Sequence, residues 1–115
     1  ELSREVKLDE IKEWMSAWAD RPQHLNLPSA PKNPVVVIEG LPSRETHLWV
    51  GSNESQQGKN NSVFDLRAGM AVVVGGLEID NFNFKFQALS HNTVRGAAGG
   101  CVLLAELVYA EGLLN

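Results

Sequence analysis

One cysteine, Cys101, is all the thiol that the 115 residues contain. A single cysteine cannot close an internal disulfide or build a thiolate zinc cage, so a fold held by packing in a reducing, cytoplasmic setting is expected. Flanked by Gly100 and by Val102, Leu103 and Leu104, it reads as a small buried apolar side chain rather than a reactive thiol. Basic residues are also scarce: ten Lys and Arg stand against 14 Asp and Glu, for a net charge of −4. They are scattered, which argues against a phosphate-reading surface and therefore against a nucleic-acid partner. No apolar run approaches the roughly 20 residues that span a bilayer, so no membrane partner is expected. Glu1, Arg4, Glu5, Lys7, Asp9 and Glu10 make a start too charged for a signal peptide. No Gly-rich turn joins a strand to a helix in the first half, which removes both the dinucleotide fingerprint and the P-loop. His24, His47 and His91 lie in separate segments without metal-ligand spacing, so no metal site is predicted. His24 and His47 read as exposed loop residues.

What is present suits one folded domain and is too short for a complete two-domain cofactor enzyme. The chain is 43% apolar and 21% charged, close to globular averages. Leu8, Ile11, Met15 and Trp18 recur at helical spacing and predict an amphipathic helix from Leu8 to Ala19. Trp14 and Trp18, one turn apart on it, suit a core or a subunit contact better than ligand stacking. Pro22, Pro28, Pro31 and Pro34 make 20–33 an ordered connection or a short linker. Val35 to Ile38 form a β-branched run of the kind buried on both faces of a sheet. Between Gly40 and Gly69 the chain is polar and turn-rich, with a surface loop expected over 53–61 and short strands possible at 48–50 and 63–66.

A strand is predicted from Met70 until Gly75-Gly76, and another where Phe82, Phe84 and Phe86 alternate with polar residues. The two should be antiparallel, turning near Ile79 to Asn81. In the final helix Val94, Ala97, Ala98, Cys101, Val102, Ala105 and Val108 mark one face, and Gly112 stands at the position of a left-handed cap. Gly96, Gly99 and Gly100 each cost about 1 kcal/mol relative to Ala there. They imply close approach of another backbone, through helix-on-sheet packing, or of a flat ligand. The order of elements predicts an α+β unit with a mixed or antiparallel sheet, an N-terminal helix and a long C-terminal helix.

Asn92 and Thr93 lie where a strand ends and this helix begins. Both are good N-cap residues. A side-chain amide at such a junction can also donate to and accept from a carboxamide ligand. Capping and ligand binding are compatible, and from spacing alone capping is the favoured role.

The run Leu89-Ser90-His91-Asn92-Thr93-Val94-Arg95-Gly96-Ala97-Ala98-Gly99-Gly100, preceded by Phe84-Lys85-Phe86 and followed by Leu104-Ala105-Glu106-Leu107, resembles aspartate-semialdehyde dehydrogenase of the archaeal and fungal branch. Leu27-Pro28-Ser29-Ala30-Pro31-Lys32-Asn33-Pro34 and Gly69-Met70-Ala71-Val72-Val73-Val74-Gly75 are similar to the same branch. The resemblance therefore covers Leu27 onward, with the first helix matching more loosely.

It implies that residues 1–90 are part of the catalytic and dimerisation domain. Residues 91–115 would be a closing helix that packs on a nucleotide-binding domain outside this chain. It places Asn92 and Thr93 beside the nicotinamide end of NADP. It implies reductive dephosphorylation of aspartyl phosphate to the semialdehyde, in amino-acid biosynthesis, by steps that need a thiolate and a base. The family's catalytic cysteine and histidine belong to segments that would precede Glu1; Cys101 and His91 do not stand in for them, and no catalytic residue is assigned. The expected partners are the missing catalytic part and a second copy of the chain, and the chain by itself should be inactive. Leu41-Pro42-Ser43-Arg44-Glu45-Thr46-His47 departs from the family's Arg-Pro-Gln-Pro-Arg type segment. The branch also includes malonyl-CoA and succinyl-CoA reductases, so the substrate stays open between an acyl phosphate and a CoA thioester. A non-enzymatic dimerisation or binding module derived from this fold is the remaining alternative.

Overall fold

A computed structural model of the chain describes residues 2–50, 66–80 and 82–114. Helix α1 (Leu8–Ala17) is followed by one turn, α2 (Arg21–His24), strand β1 (Val35–Val37), a second short turn, α3 (Arg44–His47), and a tight 3₁₀ turn at Leu66–Gly69. Strands β2 (Val72–Asp80) and β3 (Asn83–Leu89) come next. A π turn (Val94–Ala98) then runs directly into helix α4 (Gly99–Ala110). The sheet has three strands in the order β1-β2-β3 and is mixed, β1 parallel to β2 and β3 antiparallel to it. This is the α+β arrangement expected, with helices at both ends of the chain.

Helix α1 starts where the Lys7 amide donates to the Glu10 carboxylate at 2.9 Å, which satisfies a group the helix cannot. It lies against β1 and β2, burying Ile11, and Lys12 reaches Glu39 just beyond β1 at 2.8 Å. The helix ends at Ala17. Trp14 and Trp18 are about half exposed, so neither is a core residue of this chain. The proline-rich connection is ordered. Asp20 accepts from the Arg21 amide to cap α2, the Gln23 side chain donates to the Pro31 carbonyl at 3.1 Å, and Leu27, Ser29, Ala30 and Pro31 are buried.

Strand β1 is half buried rather than covered on both faces. Among the described residues it pairs with β2 alone, and all three of its valines are partly exposed, so neither face is fully covered. Residues 48–50 form turns instead of a strand, because α3 has just ended with the His47 imidazole accepting from the Ser43 amide at 2.9 Å. His24 and His47 thus sit in short helices, with His47 half buried. The expected loop at 53–61 and strand residues 63–65 lie outside the described residues, and Leu66 opens the 3₁₀ turn.

Strand β2 does not stop at Gly75-Gly76 but passes through a bulge there. The Gly76 amide donates to the Gly40 carbonyl at 2.7 Å with φ +60°, and a Cβ on Gly75 would overlap that same carbonyl. Two glycines let the strand bend around the chain leaving β1 and then resume pairing with β3. The hairpin turn follows Asp80.

The core is built where Met70, at the foot of β2, meets Leu27 and Ala30 from the proline-rich connection and Leu103 from α4, with Leu25, Val94 and Leu107 packed around them. The face of α4 that reaches this core is Gly99, Leu103 and the half-buried Glu106 and Leu107; of the predicted face Val94 and Val108 are partly buried and the other five residues are exposed. Cys101, Val102 and Ala105 are exposed, so the expectation of a buried Cys101 is corrected. The π turn is the reason. It inserts an extra residue per turn before Gly99 and so rotates everything after it relative to a continuous α-helix. Gly99 lies so close to Met70 that a Cβ would come within 2.6 Å of its sulfur, which explains this glycine by packing. At the far end Gly112, with φ +71°, closes the helix: its amide donates to Tyr109, and the Leu113 amide donates to Val108. That is the paired bonding of a Schellman cap.

Two expected outcomes follow from these contacts. Ser29, 5% exposed, gives both its amide (2.9 Å) and its hydroxyl (2.7 Å) to the Glu106 carboxylate. Glu106→Ala strands two buried donors and should lower unfolding free energy in urea by about 2–3 kcal/mol, with Glu106→Gln losing less; a loss below about 0.5 kcal/mol for Glu106→Ala would show that the contact carries no weight. The Glu10 carboxyl is held below its ordinary range by the Lys7 amide and then by Arg4. A lowered folded-state value means its contribution is present at neutral pH and is lost as pH falls through that lowered value. Amide exchange at Lys7 should quicken on acidification in the parent chain, and Glu10→Gln should flatten that pH dependence.

Candidate cofactor-facing site

β3 ends at Leu89, and four residues later the chain is already turning into α4. His91 organises this junction. Its imidazole Nδ1 accepts from the Val94 amide at 3.2 Å, and its carbonyl accepts from Arg95 at 2.8 Å and Gly96 at 3.3 Å. Its ring meets Trp49 edge-on, with centroids 4.5 Å apart. The capping role expected of Asn92 or Thr93 is thus taken by His91. Its place in the motif was legible, but no local signal connected it to Trp49, more than forty positions earlier.

The exchange leaves Asn92 and Thr93 facing outward. Both are exposed, and the Thr93 hydroxyl donates to the Asn92 side-chain oxygen at 3.3 Å. The Asn92 side-chain NH₂ has no hydrogen bond among the described residues. Its second lone pair on oxygen is also available. An amide held by Thr93 on one atom and open on the other suits a planar carboxamide, which needs one donor and one acceptor side by side. The residues present therefore fit the nicotinamide end of NADP, the group that the resemblance put here.

Next to the junction the π turn exposes Arg95, Gly96, Ala97 and Ala98. A Cβ on Gly96 would meet nothing within 4 Å, so packing within this chain does not explain that glycine as it does Gly99. Along α4 the outward side is apolar as well: Leu104 and Tyr109 are 60% and 76% exposed, and Leu113 just past its cap is 73% exposed. A helix that is apolar all round is ordinarily covered all round. Among the described residues no group of three His, Cys, Asp or Glu side chains could hold a metal ion, and no helix is long and apolar enough to cross a membrane.

No protein-family model matches the chain. Individual proteins do. A malonyl-CoA reductase (NADP) of Metallosphaera sedula is 36% identical over 99% of this chain and 29% of its own length. Aspartate-semialdehyde dehydrogenase of Methanothermobacter thermautotrophicus is 36% identical over 94% of the chain and 28% of its own length. The fission-yeast aspartate-semialdehyde dehydrogenase is 34% identical over 92% and 27%. Among solved structures, aspartate semialdehyde dehydrogenase with NADP from Candida albicans superposes with a TM-score of 0.64 and 25% identity. It covers 96% of this chain and 27% of that one. Sequence and fold together put the chain in an oxidoreductase family. That family is the aspartate-semialdehyde dehydrogenases, with the malonyl-CoA reductase among the relatives, and the chain spans under a third of their length.

The junction itself can be tested without any ligand. His91→Phe keeps a ring against Trp49 but removes the acceptor for Val94, and should cost about 1 kcal/mol, read as faster amide exchange over 94–98. His91→Asn, which can still accept, should lose less, and a larger loss for His91→Asn than for His91→Phe would assign the effect to the ring contact instead.

Proposed function

We propose that this chain is the C-terminal part of an NADP-dependent aspartate-semialdehyde dehydrogenase, working in the cytoplasm and without turnover of its own. Residues 1–90 would contribute to the catalytic and dimerisation domain, and residues 91–115 would close onto the nucleotide-binding part. The observation that carries the reading is the open carboxamide of Asn92 on a junction rigidified by His91, in a chain whose relatives are more than three times its length. Asn92 would orient the nicotinamide carboxamide through its free amide hydrogens, with Thr93 holding the opposite end of the side chain in place. When bound, the dinucleotide supplies hydride for reduction of an acyl group. The bare outer face of α4 fits a helix that closes against further parts of the protein, and those parts would bring the thiolate and the base.

A second reading rests on the malonyl-CoA reductase relative, which is as similar in identity as the first dehydrogenase. Both readings use the same junction and differ only in the acyl substrate.

The test uses the polypeptide that carries these residues together with its catalytic part. Turnover of aspartyl phosphate with NADPH supports the first reading, and turnover of malonyl-CoA alone supports the second. Asn92→Ala should raise the KM for NADPH about tenfold while leaving the KM of the acyl substrate within twofold; unchanged cofactor kinetics would remove Asn92 from the site. Turnover by the 115 residues alone would overturn the proposal.

A further inference from the structure

Beside α4 runs an open groove of about 370 Å³, walled by Trp18, Pro22, Pro31, Pro34, Leu103 and Leu104. The backbone carrying its walls is tied together at three points. Gln23 is bonded to Pro31, Arg21 is paired with Glu111 at 2.7 Å, and α4 is tied to the proline-rich connection through Ser29 and Glu106. Prolines add little further mobility. A pocket with such walls needs no ordering when a ligand enters.

The polar groups of the groove are almost all committed within the chain. Asp20 caps α2, Gln23 donates to a backbone carbonyl, and the Arg21 guanidinium is engaged by Glu111. The exception is Arg95. It lines the groove, and its guanidinium has no hydrogen bond or ion pair among the described residues. An apolar, preformed groove with a single uncommitted cation selects by two properties at once: apolar bulk for the walls and one negative charge for the guanidinium.

We propose that this groove is a binding site for a small organic monoanion with a flat or branched apolar body, of the aryl-carboxylate class, held by Arg95. The inference does not depend on the role of Asn92 or on the acyl substrate, but Leu104 also belongs to the outer face of α4, so it requires that the parts closing on that helix leave the groove open. Nothing in it requires the nicotinamide or the reacting groups.

The probe is 2-naphthoate, with neutral 2-naphthamide as its uncharged match, titrated calorimetrically into the full polypeptide that carries this sequence. The naphthoate should bind about tenfold more tightly than the naphthamide. Arg95→Gln should abolish that ratio, and Arg95→Lys should restore part of it; Arg95 is exposed, so neither change threatens folding. Trp18→Ala should weaken both probes and leave their ratio intact, which ties the binding to the groove rather than to the bare face of α4. Equal binding of the two probes, or a ratio that survives Arg95→Gln, would overturn the proposal and mark adhesion to exposed apolar surface. No binding at all would overturn it too, as when another part of the polypeptide fills the groove.

Discussion

The contact between Ser29 and Glu106 holds two distant parts of the chain to each other, and the rest of the structure depends on it. One carboxylate takes both donors of a buried serine, so the proline-rich connection is anchored to the middle of α4. The backbone bonds of the connection are local, the farthest reaching five residues, and side-chain ties run from it to α4 and its C-cap from Ser29 to Glu106 and from Arg21 to Glu111. The anchor fixes Leu27 and Ala30 over Met70 and Leu103, and it thereby sets the depth at which α4 sits. A charge-assisted bond of this kind is stronger than a neutral one, and the cost of stranding its buried donors is larger still.

The position of α4 then determines where the junction points. Gly99 lies directly against Met70, and the π turn must join that fixed point to the end of β3. His91 bridges the gap by binding Val94 with its ring and Arg95 and Gly96 with its carbonyl. Asn92 and Thr93 are released from helix capping as a result. A capping side chain is committed to the helix backbone, whereas here the Asn92 oxygen takes the Thr93 hydroxyl and its NH₂ stays open to another molecule.

Much of the fold was legible from the sequence because it depends on local periodicity. The spacing of Leu8, Ile11 and Met15 marked α1, the alternation of Phe84 and Phe86 with polar residues marked β3, and Gly112 marked the end of α4. What escaped depends on contacts between segments. Gly75 and Gly76 looked like a stop, yet they permit a bulge because the Gly40 carbonyl arrives there from the end of β1. The apolar residues of α4 were legible, but their facing was not: a π turn changes the phase of the helix, and its cause lies in His91 and Met70. Cys101 was assigned to the inside by composition for the same reason. Of the site, Asn92 and Thr93 were marked by the family resemblance, while the role of His91 required the ring of Trp49 and the backbone bonds to be seen together.

Strand β2 belongs to two pairings of very different reach. Its antiparallel partner β3 begins three positions after β2 ends, whereas its parallel partner β1 lies on the far side of α3 and of all the residues from 48 to 71. Closing the short loop costs little chain entropy and closing the long one costs more. Loop-closure entropy therefore favours the hairpin over the parallel pairing, and without β1 the Val72 to Val74 side of β2 is an open, β-branched edge. Until β1 docks there, a second unfolded copy can pair with the same three valines, so the rate of that docking governs how cleanly the chain folds at high concentration.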